Sequence, residues 1–151
     1  MNQGFIEFPP LSPFVMLNGP IYARLIEPDD LELGFSVQEK NTNLSGICHG
    51  AVLMGLLDSV MGACILYRLS PEYSVVTLSL STNFLCPARI GDFLVGHATI
   101  DGHSKSHVFV TGSLKGPGGV LAIATGNFSK VKGKHSSLNF QEIVKRTLRK
   151  S

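Results

Sequence analysis

Hydrophobic positions along this chain follow two different periods. Val76, Leu78, Leu80, Thr82 and Phe84 alternate with Thr77, Ser79, Ser81 and Asn83. A period of two gives a strand one apolar and one polar face. Stretches 93–100, 107–114 and 120–131 read as three further strands. Asp101-Gly102-His103-Ser104-Lys105-Ser106 and Lys115-Gly116-Pro117-Gly118-Gly119 join them, both rich in turn formers. Upstream, 21–26 and 31–37 read as a hairpin about Pro28-Asp29-Asp30. Between the two strand groups runs an apolar stretch, Gly50 to Tyr67, with a single charge. It is too long for one strand and too apolar for a surface helix, so it predicts a buried helix. Ala51, Gly55, Ser59 and Ala63 recur every fourth residue, with Gly62 beside them. Such a stripe is expected to let the helix lie close against a sheet.

The first 18 residues form a Pro-rich extension (Pro9, Pro10, Pro13) with one helical turn at 14–18. Asn139-Phe140-Gln141-Glu142 resembles a capping box opening a short basic helix over 139–150. No repeat or domain boundary is visible. The 151 residues suit one domain, with its core over 20–131. The order β-β-α-β-β-β-β predicts an α+β fold, with a helix against the apolar face of about six antiparallel strands. Short turns after the helix predict a meander.

At 44% apolar and 16% charged, the chain is globular with apolar surface to spare for subunit contacts. A net charge of +2 gives no argument for nucleic acid. Lys130, Lys132 and Lys134, then Lys145, Arg146, Arg149 and Lys150, read as a solvated basic tail. Cys48, Cys64 and Cys86 are odd in number and lack CxxC spacing, which points to a reduced, cytoplasmic protein. The N-terminus has no basic region followed by a long apolar core, as a signal peptide would. Stretch 50–67 nearly reaches membrane-spanning length. The ionisable residue in its middle and the β pattern after it argue against a span.

That ionisable residue is Asp58, the only Asp, Glu, Lys or Arg between Lys40 and Arg68. A carboxylate in apolar surroundings is paired or has a task. It could act as a base on water or as a nucleophile. Alternatively it caps a helix break at Asp58-Ser59, or pairs with Arg68 or Arg89. Gly50 opens the helix, where the first amides lack internal partners and the dipole is positive. An amide there suits a developing oxyanion, and losing such a donor costs roughly 3 kcal/mol of barrier. Equally, Gly50 eases chain reversal. Asp58 lies about 12 Å farther along the axis. His49 reads as a capping or packing residue or a general base, and Asn43 as a loop-ordering residue or a water-orienting one. His97, His103 and His107 fit no zinc spacing, and no metal is expected. No G-x-S-x-G, Walker A or dinucleotide fingerprint occurs.

Asn43-x5-His49-Gly50-x7-Asp58, with Val76-Thr77-Leu78 and Phe84-Leu85-Cys86-Pro87-Ala88-Arg89-Ile90-Gly91-Asp92, resembles the hotdog-fold acyl-CoA thioesterases. The similarity is to the PaaI-like, phenylacetate-degradation branch and covers 31–131. It implies hydrolysis of an acyl- or aryl-CoA without metal or cofactor, coenzyme A being part of the substrate. It implies Asp58 as general base or nucleophile and the Gly50 amide as oxyanion donor. Asn43 would orient the nucleophile or loop, and His49 would support the turn. Thr77 would position the water, reaching across from a partner subunit. Phe84, Arg89, Ser104, Lys105 and Ser106 would contact coenzyme A. A homodimer, paired into a tetramer, is implied. The family has His-Gly-Gly where this chain has His49-Gly50-Ala51, which bears on substrate size. A non-catalytic acyl-CoA-binding protein is the alternative, and a dehydratase or hydratase layout fits less well.

Overall fold

The computed structural model describes residues 4–9, 12–26, 30–69, 73–132 and 139–148. Pro10, Pro28, Asp29, Lys134, Arg149 and Lys150, named above, lie outside them. The order is β1 (Ile6–Glu7), α1 (Pro13–Asn18), β2 (Ile21–Ile26), β3 (Asp30–Ser36), a 3-10 turn (Glu39–Asn41), α2 (Gly50–Arg68), β4 (Ser74–Phe84), β5 (Phe93–His103), β6 (His107–Gly116), β7 (Gly119–Val131) and α3 (Phe140–Leu148). The class is α+β, with α2 lying across one antiparallel sheet. β1 is a strand that the sequence pattern did not predict. Its two residues pair with Tyr22 and Ala23 of β2.

The strands run in the order β1-β2-β3-β5-β6-β7-β4. The expected meander holds for β5, β6 and β7 and fails for β4, which pairs with β7 at the sheet edge. The reason is the connection. Residues 85–92 are too long for a tight hairpin and cross the end of the sheet. Backbone bonds Cys48 N to Ala88 O, Val37 N to Asp92 O and Leu85 N to Leu121 O hold them there.

Leu53, Leu57, Val60, Met61 and Cys64 of α2 meet Phe35, Leu94, Val108, Val110, Leu114 and Phe128 of the sheet in one buried cluster. The close approach comes from glycines in the strands, not from the helix. A Cβ at Gly96 would fall 2.4 Å from Val60 Cγ2, and one at Gly112 would fall 3.0 Å from Met61 Cγ. Only the far end of the stripe on α2 meets the sheet, which narrows the expectation: Ala63 is buried with Ala23 and Leu31 of β2 and β3, whereas Ala51 is exposed, Gly62 faces open space and Gly55 lies under the Phe14 ring. The helix is long and apolar enough to suit a bilayer, yet half of its apolar length is buried inside this fold.

The described basic residues late in the chain sit on or next to the expected strand and helix, with Lys132 and Arg146 exposed. Lys130 belongs to β7, and its ammonium donates to Ser104 O at 2.8 Å. Lys145 and Arg146 ride on α3, which docks through Val144 against Phe8, Leu31 and Tyr67 in a second cluster.

Candidate active site

Asp58 sits mid-way along an unbroken helix, so it caps no break. It is half-buried, and its Oδ1 accepts a hydrogen bond from Thr77 Oγ1 at 2.7 Å. Both residues belong to one chain. The expectation that Thr77 reaches Asp58 only from a partner subunit is therefore corrected. Of the alternative partners, Arg68 pairs with Asp30 at 3.3 Å, and Arg89 is exposed on the loop after β4.

A β-bulge explains how Thr77 gets there. Along β4, Thr77 faces Phe128 of β7 while Ser79 faces Asn127, leaving Leu78 as an extra residue. An extra residue reverses the side of everything beyond it. Val75 and Thr77 point at the helix before the bulge, and Leu80 does so after it. Without the bulge, Thr77 would share the outer face with Ser79 and could not meet Asp58.

The start of α2 is built by the loop before it. His49 is the N-cap, its Nδ1 accepting from Ala51 N at 3.0 Å. Val52 N and Leu53 N turn back on the His49 carbonyl. Among the described residues the Gly50 amide is left without a partner, at the helix start where the dipole is positive. The Phe84 ring stands beside it, 3.4 Å from where a Cβ on Gly50 would lie. Asn43 Oδ1 accepts from Ser45 N at 2.9 Å and Ile47 N at 3.4 Å, so its side chain shapes the loop. Asn41 was missed by sequence reasoning. It is 1% exposed, and its side chain accepts from Gln38 N at 2.9 Å and donates to Asn18 O at 3.2 Å. Its carbonyl receives the His49 amide. Only its place within a polar loop hinted at this, since nothing local distinguishes it from Asn43.

Cys48 is no nucleophile beside His49. Burial pushes its thiol up to about 11, and the thiolate is the reactive form. Among the described residues, no group of three or more His, Cys, Asp and Glu could hold a metal ion.

The expected coenzyme A contacts separate. Arg89 lies on the loop clipped to the helix start, where Ile47 and Arg89 form a bridge. Ser104, Lys105 and Ser106 form the β5–β6 turn. Ser104 Oγ accepts there from Ser106 N at 3.3 Å and His107 N at 3.0 Å. The whole of β5 lies between the two places, and a strand of that length spans over 30 Å at about 3.3 Å per residue. Arg89 and Lys105 of one chain therefore cannot grip the same end of a ligand. Asp58 and Gly50 are likewise about 12 Å apart along one helix.

A family model described as the thioesterase superfamily matches residues 45–123. That span holds Gly50, Asp58, Thr77 and the connection to β5. The chain belongs to the thioesterase superfamily. A candidate esterase from Pseudomonas aeruginosa is 31% identical over 126 residues, covering 83% of this chain and 94% of the relative. Mouse acyl-coenzyme A thioesterase 13 is 29% identical over 129 residues, covering 79% of this chain and 90% of its own. A solved candidate thioesterase from Ralstonia eutropha, related to phenylacetic acid degradation, aligns with a TM-score of 0.68 at 30% identity. The alignment covers 80% of this chain and 92% of that one. The helix wrapped by an antiparallel sheet is the hotdog fold of this superfamily, and its chemistry is thioester hydrolysis.

Proposed function

We propose that this thioesterase-superfamily protein hydrolyses acyl-CoA thioesters at a site shared by two copies of the chain. The observation that carries the reading is the Asp58–Thr77 pair on the open face of α2. It lies too far from the Gly50 amide of its own helix for both to act on one carbonyl. A second copy supplies the missing end. The free edge of β4 is eleven residues long and carries Val76 and Leu78, both more than half exposed. An edge of that kind pairs with another strand. Antiparallel pairing of two β4 strands brings the Gly50 end of one helix towards Asp58 of the other. It also brings Arg89 of one copy towards Lys105 of the other, two cations for the phosphates of coenzyme A. Dimers of this kind can pair further into tetramers.

The chemistry follows from those positions. The Gly50 amide donates to the thioester oxygen as it gains negative charge. Asp58 takes a proton from water, and the water oxygen bonds to the carbonyl carbon. Alternatively, the carboxylate attacks directly and water then splits the resulting anhydride. Thr77 holds the carboxylate in line. The C–S bond breaks, and the coenzyme A thiolate leaves and takes a proton. No metal or separate cofactor enters these steps, and Phe84 with Ser104 and Ser106 frames the rest of the substrate. The PaaI-like motif set and the reduced cysteines fit a cytoplasmic enzyme of acyl-CoA metabolism.

Thiol release measured over a panel of acyl- and aryl-CoA substrates tests the reading. Turnover should fall at least about a hundredfold in Asp58→Asn while the fold survives. Tight acyl-CoA binding with no thiol released by the native protein would instead identify a binding protein.

A further inference from the structure

A cavity of about 110 Å³ lies on the other flank of α2, between the helix, the β3–β5 part of the sheet, the N-terminal segment and α3. Among the described residues its walls include Val15, Ile21, Leu33, Leu56, Val60 and Ala63. Its one side-chain hydroxyl, Ser59, already donates to Gly55 O at 2.9 Å. Among the described lining residues no side-chain group is left to satisfy a polar guest, and burying one unpaired is costly. The cavity therefore suits hydrocarbon alone. Its volume is about 110 Å³, below the roughly 150 Å³ at which a dry apolar cavity takes a benzene ring. A flexible run of methylenes fits where a phenyl ring does not.

The cavity lies round the helix from Asp58, with Ser59 on its near side. Ser59, the next residue, lines it, and Gly55 lies one turn before Asp58 on the same side of the helix. The Phe14 ring of α1 rests on Gly55, where a Cβ would fall 2.8 Å from Phe14 Cζ. Val15, the next residue of α1, is part of the cavity wall. α1 thus stands between Asp58 and the cavity. It has no buried residue, and Phe14, Met16 and Leu17 are at least half exposed. It is anchored at its far end, where Asn41 Nδ2 donates to Asn18 O and Lys40 Nζ to Gly19 O.

We propose that this cavity receives the hydrocarbon tail of a straight-chain acyl group whose carbonyl lies at Asp58, with Phe14 as the door over Gly55. The inference rests on the thioesterase reading and adds a substrate class to it: aliphatic acyl chains over aryl ones. It also makes Phe14 and Ala63 specificity-determining residues.

The test has two arms. In the first, kcat/KM is measured from acetyl- to dodecanoyl-CoA and for phenylacetyl-CoA, in the native protein and in Ala63→Leu, which fills the cavity. The variant should lose at least about tenfold on decanoyl-CoA, the scale of two methylenes left in water, and keep its rate on acetyl-CoA. Val60→Ala, which enlarges the cavity, should move the preference to longer chains, and it decides the matter if Ala63→Leu does not fold. In the second arm, calorimetry follows decanoyl- and acetyl-CoA binding to Asp58→Asn protein. Decanoyl-CoA should bind more tightly, and adding Ala63→Leu should erase the difference. Uniform loss across all chain lengths, or a decanoyl preference untouched by Ala63→Leu, overturns the proposal. If the native protein releases no thiol from any substrate, the thioesterase reading fails, and the binding arm still decides the cavity.

Discussion

Replacing Thr77 with valine removes one hydroxyl and almost nothing else. The hydroxyl donates to Asp58 Oδ1 at 2.7 Å, and no other donor to Asp58 is found among the described residues. A hydrogen bond to a charged group contributes about 1.5–3 kcal/mol. If that bond holds the carboxylate in its working position, its loss lowers kcat/KM by roughly 10- to 100-fold. Stability should move much less, because in the free protein the pair is exposed and water can take the hydroxyl's place beside the carboxylate, whereas bound substrate shuts that water out. Thr77 is exposed, valine suits a strand at least as well, and surface changes of this kind stay within about 0.5 kcal/mol. The assay is continuous thiol release from the best acyl-CoA of the panel, with a thermal melt on the same samples. Thr77→Ser keeps the hydroxyl and should retain most of the rate. Activity of Thr77→Val within about threefold of native, with serine and valine behaving alike, would refute a working role for the contact.

Two further outcomes follow from the packing and the ion pairs. Gly96→Ala puts a methyl 2.4 Å from Val60 Cγ2; overpacking of that kind costs about 1–3 kcal/mol. Thermal melts should show a Tm lower by about 2–4 °C per kcal/mol, and an unchanged Tm would contradict the close helix–sheet approach. Burial works to raise the Asp30 carboxyl, but His97, the Leu31 amide and Arg68 outweigh it and hold it below its ordinary value of 3.8. A carboxyl depressed in the fold stabilises above its unfolded value and loses that contribution as pH falls through the folded one. Native protein should therefore lose stability relative to Asp30→Asn as pH drops below about 4; parallel melting profiles down to that range would contradict the pairing.

Much of this fold was legible because its signals are local and repeated. The strand Ile21–Ile26 follows directly from its residues, and α2 ends within one residue of its apolar run. Gly50 at a helix start and Asp58 well inside that helix were legible for the same reason. What escaped depends on pairing across the sheet. A bulge is a relation between β4 and β7, so the alternation of Val76, Leu78 and Leu80 placed Thr77 on the wrong face. Of the small residues of α2 that looked suited to packing on the sheet, Ala63 does so, while Gly96, Gly112 and Gly126 provide the closest approach from the strands. Asn41 escaped because its distant partner, Asn18, becomes a neighbour only when α1 folds back on the loop.

The shared site can be tested by subunit mixing. Asp58→Asn removes the carboxylate, and Gly50→Val screens the helix-start amide; each alone should be nearly inactive. Refolded together in equal amounts, they form mixed dimers in which one of the two sites keeps both native parts. If Asp58 of one copy works with Gly50 of the other, thiol release should return to about a quarter of the native rate in a two-fold symmetric dimer. A mixture no more active than its components would contradict the shared site.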